Sequence, residues 1–174
     1  MEFSLVTTDH LVDRLWFLDD DDYKAGMNGV AVTAHQMNME VLAFILMSNH
    51  VHFVIEGSEE KANLFFIHFK RLYGAWYEKK YGTRSFLRRN SLDVQEVWIE
   101  DESLLRAIAY VIDNPVAANI CTHPTQYIWG SGNVLFNMAK ETGTKLSEFS
   151  VRKQRAALHS KAQVNQKWEV GRDG

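Results

Sequence analysis

The stretch VLAFILMSNHVHFVIEG, residues 41–57, contains two apolar runs separated by the short polar pair SN. A pair of this kind between two such runs is typical of a β-hairpin turn. Side chains alternate between the two faces of a strand, so His50 and His52 share one face while large apolar side chains cover the other. The stretch therefore predicts two antiparallel strands, with two imidazoles at the start of the second.

Two imidazoles on one strand face have two interpretations. They can serve as paired metal ligands, or they can be ordinary polar residues on the solvent side of a sheet. Because His50 directly follows the turn, we expect the pair at an exposed strand start, at the edge of the sheet, where a site is open to solvent. The spacing alone leaves both interpretations open.

The segments on either side of this hairpin predict a complete α+β fold. FSLVTT reads as a strand, and acidic residues 19–22 open a helix as caps. A second helix over residues 59–81 has its apolar residues at helical spacing, VQEVWIE reads as a fourth strand, and DESLLRAIAYVID as a third helix that ends at Pro115. The apolar stripe of the second helix consists of Phe65, Phe69, Leu72 and Trp76.

The order β-α-β-β-α-β-α matches the split β-α-β arrangement in its first six elements. It predicts a ferredoxin-like (RRM-like) antiparallel sheet with helices on one face, plus a C-terminal helical extension. We assign residues 1–132 to the main domain and residues 133–174 to the partly helical extension, with one helix near residues 148–163.

Composition restricts the class of protein. The chain of 174 residues is 46% hydrophobic and has a single cysteine, Cys121. The longest apolar run has far fewer than the ~20 residues that a membrane span needs. We therefore expect a cytoplasmic protein with no membrane partner.

A strong charge asymmetry lies beneath the formal net charge of −3. Residues 1–60 are acidic, whereas residues 68–90 hold seven basic side chains against Glu78 alone. Such a patch can bind phosphates, although a solvated helix surface has the same composition. The basic side chains predicted to bind phosphates are Lys70, Arg71, Lys79, Lys80, Arg88 and Arg89.

Several blocks resemble one known family. MSNHVHFVI at residues 47–55 and YVIDNPVAA at residues 110–118 are similar to the two signature blocks of the single-tyrosine HUH transposases of small insertion sequences, which include the REP-associated tyrosine transposases. HFKRLYGAWYEKKYG looks like the family's basic helix, and HPTQYIWGSG resembles its P-x-x-Y-x-W-S-S block. The blocks cover about residues 3–132 in the family's order. Ser48 and Ala117 stand where proline and arginine are usual.

The resemblance implies a function. Tyr110 would be the nucleophile of a single-strand DNA endonuclease and strand transferase that forms a 5′-phosphotyrosine link on hairpin-flanked DNA. His50, His52 and Asn114 would hold a divalent metal, Mn²⁺ or Mg²⁺, and imidazole ligands favour manganese. The partner would be single-stranded DNA with hairpin structure.

Other interpretations remain open at this level. The chain could be a domesticated, non-catalytic protein on the same fold that binds DNA or RNA, or an RNA-binding module resembling an RRM. It lacks the aromatic strand signature of the latter. Both a homodimer that pairs through the sheet edge and a monomer are compatible with the family.

Overall fold

The computed structural model describes residues 1–10, 15–83 and 91–136. Four strands are present: β1 (Phe3–Thr8), β2 (Val41–Met47), β3 (His50–Glu56) and β4 (Leu92–Val97). The helices are α1 (Asp20–Met37), α2 (Glu59–Tyr81), α3 (Ser103–Ala117) and α4 (Ser131–Phe136), with a short 3₁₀ turn at Pro124–Gln126. The strands form one sheet in the order β2-β3-β1-β4, and all neighbours are antiparallel. The helix predicted near residues 148–163 lies outside the described residues.

One face of the sheet carries the main core. Val51, Phe53 and Ile55 of β3 pack with Phe65 and Phe69 of α2 on this face, and all five are fully buried. Burial of a phenylalanine stabilises a fold by about 1.5–3 kcal/mol, so this aromatic layer is a major source of stability. With α1 and α2 on this face, the predicted ferredoxin-like arrangement is confirmed.

The third helix lies on the opposite face. Leu104, Ala107 and Val111 of α3 pack with Ala43 of β2 and Val54 of β3 in a second, smaller core. Their spacing of three and four residues is that of one helix stripe. The sheet is therefore covered by α1 and α2 on one side and by α3 on the other, a placement that the order of elements did not predict.

A buried carboxylate joins the start of α1 to the end of α2. Asp22 is fully buried and accepts hydrogen bonds from the backbone N–H of Leu18 (2.9 Å), Trp76 Nε1 (3.3 Å), Lys80 Nζ (2.9 Å) and the Tyr81 hydroxyl (2.8 Å). Four donors satisfy both oxygens, so the charge is compensated despite its burial.

The edge of β2 is covered by the segment that contains the HPTQYIWGSG block. The N–H of Leu46 donates to the Trp129 carbonyl (2.9 Å), and the Ser131 hydroxyl both accepts from the N–H of Phe44 (2.9 Å) and donates to its carbonyl (3.2 Å). A side chain at Gly130 would have its Cβ only 2.8 Å from the Phe44 carbonyl, so only glycine permits this close approach. The block therefore acts in the fold as a cover for the strand that pairs with β3.

Within the described residues, none of the helices has the length and apolar content to cross a bilayer.

The Asp22 network generates a stability prediction. Asp22→Ala should lower the free energy of unfolding by about 3 kcal/mol, because it leaves the Leu18 N–H, Trp76 Nε1 and the Tyr81 hydroxyl without their acceptor and removes one of the two carboxylates that bind Lys80. Asp21→Ala is the matched control, since Asp21 is a neighbouring acid on the same helix whose carboxylate forms a 4.0 Å ion pair with Lys24 at the surface. Its effect should stay within about 0.5 kcal/mol in chemical denaturation. Equal losses in the two variants would contradict the role given to the buried carboxylate.

Candidate active site

The two imidazoles stand on a central strand. β3 lies between β1 and β2, and His50 and His52 face Met47 and Ile45 across the β2 ladder. They are 5% and 2% exposed. The predicted position at an exposed sheet edge is therefore wrong, because β1 and β2 flank the strand and α3 covers this face.

The turn before His50 is hydrogen-bonded to the segment that precedes α1. The Ser48 carbonyl accepts hydrogen bonds from the backbone N–H groups of Trp16 (2.7 Å) and Phe17 (3.3 Å). Both aromatic side chains are buried, and the Tyr73 hydroxyl of α2 donates to the Trp16 carbonyl. This contact ties the turn to the main core even though the usual proline is absent.

Helix α3 brings the other two predicted residues to the same place. Tyr110 and Asn114 are four residues apart and thus share one side of the helix. The prediction that the helix ends at Pro115 is wrong, since α3 continues to Ala117. Proline lies there in the last turn, where its fixed φ is compatible with helical backbone. Asn114 therefore has helical geometry and a defined position.

The Asn114 amide contacts both imidazoles. Its Oδ1 lies 3.3 Å from His50 Nε2, and its Nδ2 lies 3.3 Å from His52 Nε2. The two imidazole rings cross at 74°, with centroids 4.8 Å apart. Lone pairs on ring nitrogens lie in the ring plane, so crossing planes allow both Nε2 atoms to point at one position. The sequence-predicted trio thus converges.

A neighbouring amide fixes the tautomer of His50. Its Nδ1 lies 2.7 Å from Asn49 Oδ1 and donates its hydrogen there. With the Asn49 amide in this orientation, His50 Nε2 carries a lone pair and faces the lone pairs of Asn114 Oδ1. Two acceptors in this arrangement favour a cation between them. His52 has less support, because its buried Nδ1 has no hydrogen-bond partner among the described residues.

Burial keeps both imidazoles neutral. It lowers the pKa of His50 to about 4, an effect increased by nearby His10 and partly opposed by the Asn114 oxygen, which accepts a hydrogen bond from the ring only when the ring is protonated. Burial likewise lowers the pKa of His52 to about 3, with His50 and His10 adding to the effect. Neutral imidazole is the form that binds metals, so both residues are ready to act as ligands at neutral pH.

Tyr110 is placed to meet a substrate. Its side chain is 49% exposed, whereas its ring lies edge-on to His52 with centroids 5.3 Å apart. The phenol therefore stands between solvent and the imidazole pair. A half-exposed tyrosine that packs against a buried neutral histidine, next to a second histidine and an amide that converge, has the components for attack on a phosphate.

Sequence reasoning missed one residue of this site. His10 follows the end of β1, and its ring stacks on that of His50 with a centroid distance of 3.9 Å. Strand pairing provided the available signal, because β1 and β3 are antiparallel and the end of one lies beside the start of the other. No motif marks this histidine.

The predicted DNA-binding residues are not brought to the imidazoles. Lys70, Arg71 and Lys79 lie on α2, which packs on the other face of the sheet. Lys70 Nζ lies 5.4 Å above the Phe66 ring, and Arg71 is exposed and donates to the ring of His68 (3.2 Å).

Lys80 differs from the other predicted cations. Its ammonium lies 2.6 Å from Asp19 and 2.9 Å from Asp22. Partial burial opposes its charge, but hydrogen bonds to Asp19, Tyr81 and Asp22 outweigh burial and raise its pKa. Because two carboxylates already bind this cation, we remove Lys80 from the predicted DNA-binding set. Arg88 and Arg89 lie outside the described residues.

The site is compatible with a divalent metal only through a mixed ligand set. No group of three His, Cys, Asp or Glu side chains in residues 1–10, 15–83 and 91–136 is placed to hold a metal ion. The ligands would be the two imidazole Nε2 atoms and the Asn114 oxygen. The opposed lone pairs of His50 and Asn114 fit such an ion, and the imidazoles favour manganese over magnesium.

Comparison with known proteins supports the fold. No family model matches the chain, and no curated protein matches it. A solved structure of a REP-associated tyrosine transposase bound to a REP hairpin is similar, with a TM-score of 0.60 and 11% identity over 99% of this chain and 92% of that one. At this identity the likeness establishes a shared fold. The tRNA(His) guanylyltransferase of Saccharomyces cerevisiae has a TM-score of 0.47 at 10% identity, covering 94% of this chain and 73% of that one.

The lowered pKa values predict acid sensitivity of the metal-free protein. In the unfolded chain the pKa of a histidine is about 6.5, whereas in the folded protein it is about 4 for His50 and about 3 for His52. Below pH 6.5 the unfolded chain therefore binds more protons than the folded protein does. The contribution of these two histidines to the free energy of unfolding is therefore fully present above pH 6.5 and is lost as the pH falls. Denaturation in EDTA should show a loss of about 2 kcal/mol between pH 7 and pH 5.5, where carboxylates stay ionised.

The double variant His50→Gln/His52→Gln is the control for this measurement. It should remove most of the dependence on pH between these two values. A variant as acid-sensitive as the wild type would show that other groups cause the effect.

Proposed function

We propose that this chain is a metal-dependent single-strand DNA endonuclease and strand transferase that acts through a 5′-phosphotyrosine intermediate on hairpin-flanked DNA. One observation carries the proposal: exposed Tyr110 packs against buried His52, and the Nε2 atoms of His52 and His50 both meet the Asn114 amide. These groups lie on β3 and α3, and the fold brings them together although His50 and Tyr110 are 60 positions apart in the sequence.

In the proposed reaction Tyr110 is the nucleophile of the first step and the leaving group of the second. The Tyr110 oxygen attacks phosphorus and loses its proton to solvent. The bond from phosphorus to the 3′ oxygen breaks, and that oxygen takes a proton from solvent and leaves as a 3′-hydroxyl. The DNA on the 5′-phosphate side remains linked to Tyr110. Because the link conserves a phosphodiester, a 3′-hydroxyl of another strand can attack it and release the tyrosine.

His50, His52 and Asn114 would hold a divalent metal, Mn²⁺ or Mg²⁺, which when bound polarises the phosphate and neutralises developing charge. Buried His50 and His52 exclude water from one side of the site, while Tyr110 stays exposed toward a strand arriving from solvent.

Hairpin DNA is the substrate that we propose. The similar solved transposase is bound to a REP hairpin, and this chain shares its fold. Exposed Arg71 and Lys79, with partly buried Lys70, are the described cations that would contact phosphates away from the site of cleavage. Arg88 and Arg89 are retained as further contacts. A cytoplasmic location and a homodimer remain predictions.

The RRM-like alternative is not favoured by the architecture. An RRM binds RNA on the sheet face opposite its two helices. Here Leu104, Ala107 and Val111 of α3 pack on that face and bury it. The catalytic proposal needs α3 in this position, because the helix carries Tyr110.

Tyr110→Phe is the decisive test of the proposal. Phenylalanine keeps the ring that packs on His52 but removes the attacking oxygen, so hairpin affinity should stay within a few fold while cleavage is lost. With Mn²⁺, wild-type protein should become attached to the 5′ end of the downstream fragment and leave a free 3′-hydroxyl upstream. Denaturing electrophoresis with each DNA end labelled separately measures both products, and mass mapping locates the adduct.

Tyr81→Phe is the control, since Tyr81 is also partly exposed, at 37%, but lies on α2. Because this change removes the hydroxyl that donates to Asp22, the unfolding midpoint is measured first to confirm that the variant is folded under the assay conditions. This variant should cleave normally. Cleavage without any adduct would indicate attack by water and would overturn the proposed reaction, and binding without cleavage by the wild type would favour the domesticated alternative.

The basic surface of α2 generates a second prediction. Lys70→Ala/Arg71→Ala should weaken binding to hairpin and unrelated single strands alike, and should reduce the slope of log affinity against log salt by about 1.4, or ~0.7 per lost phosphate contact. Lys24→Ala/Lys61→Ala removes two charges elsewhere and should leave the slope unchanged. Fluorescence anisotropy over a salt series measures both, and identical slopes would show that the α2 surface is only solvated.

A further inference from the structure

His10 is the one histidine of this region to which the proposed function gives no role. It is exposed, it lies two residues past the end of β1, and its ring is nearly parallel to that of His50, at 20° and 3.9 Å between centroids. The contact joins the segment that follows β1 to the first residue of β3. Thr8 supports the same junction, since its hydroxyl accepts from the N–H of Val51 (2.9 Å) and donates to the Val51 carbonyl (3.3 Å).

The geometry of the stack excludes His10 as a ligand that shares an ion with His50. Imidazole binds a metal through a lone pair in the ring plane, at about 2 Å from nitrogen. Nearly parallel planes do not meet within that distance, whereas the planes of His50 and His52 cross at 74°. In agreement, no trio of histidine and acidic side chains in the described residues is placed to hold a metal.

We infer that His10 is a positioning residue: its ring lies flat against His50 and keeps Nε2 of that residue directed at Asn114. The inference rests on the proposed function, because it concerns how a ligand of the proposed metal is oriented. His50 needs such support, since it is the first residue of β3 and directly follows the turn. Asn49 fixes the tautomer at one edge of the ring, and His10 restricts rotation by covering one face.

The two imidazoles therefore have different degrees of support. His50 has a hydrogen-bonded Nδ1 and a stacked face, whereas the buried Nδ1 of His52 has no partner among the described residues. Residues that orient a ligand commonly change metal affinity by about 10- to 100-fold. Loss of the His10 ring should thus weaken metal binding although His10 does not touch the metal.

The test compares His10→Ala, His10→Phe and His10→Leu at one fixed neutral pH. Phenylalanine keeps a flat ring, leucine keeps apolar volume without one, and alanine keeps neither. The first readout uses metal-free protein: long-range ¹H–¹⁵N spectra should show His50 in a single Nδ1–H tautomer in the wild type and in His10→Phe. In His10→Ala and His10→Leu they should show averaged nitrogen shifts. The unfolding midpoint of each variant confirms that it is folded.

The second readout is Mn²⁺ affinity, measured by electron paramagnetic resonance of the free ion. His10→Ala and His10→Leu should bind about 10-fold more weakly than the wild type, and His10→Phe within about threefold of it. If His10→Phe loses as much as His10→Ala, the ring nitrogen is what matters and the inference is overturned. An unchanged His50 tautomer and an unchanged affinity in His10→Ala would also overturn it.

The two proposals can fail separately. Wild-type protein that does not bind Mn²⁺ any better than His50→Ala/His52→Ala would refute the proposed metal site, and the metal-free spectra would then still decide whether His10 orients His50. If alanine proves unstable at position 10, the comparison of phenylalanine with leucine alone decides the question.

Discussion

Alternation of side chains along β3 is the constraint that links the core to the site. Val51, Phe53 and Ile55 pack under α1 and α2, and this packing sets the register of the strand. Because the side-chain period of a strand is two, His50 and His52 must then appear on the opposite face. A slip of one residue would bury the imidazoles among aromatics and expose the core, so the same hydrophobic energy that stabilises the fold also places the site.

The second face of the sheet shows why the imidazoles are buried. Leu104, Ala107 and Val111 hold α3 against the sheet and carry Tyr110 and Asn114 to the start of β3. Burial lowers the pKa of both imidazoles and so keeps them neutral, while the Asn114 amide contacts the Nε2 atoms of both rings. Tyr110 remains accessible because it lies beside the buried stripe of the helix rather than within it.

The basic residues of α2, on the face of the sheet opposite the imidazoles, have two different roles. Near its end, α2 places Lys80 on the buried carboxylate of Asp22, where the cation stabilises the junction with α1. In the middle of the same helix, Lys70 and Arg71 keep their charges at the surface. A count of basic residues in a sequence cannot distinguish these uses, since the distinction depends on which carboxylates from another helix lie within reach.

The sequence by itself determined the element order and the faces of β3, because period-two and period-3.6 patterns are local properties. Its charge pattern also indicated the helix cap at residues 19–22. The trio His50, His52 and Asn114 was implied by the resemblance of two blocks to the transposase family. Tertiary structure decided what depends on pairing and packing between distant segments. It placed β3 inside the sheet, α3 on the free face and the His10 ring on His50, and it bound Lys80 to Asp22. These contacts join residues 40 to 70 positions apart, and no local pattern encodes them.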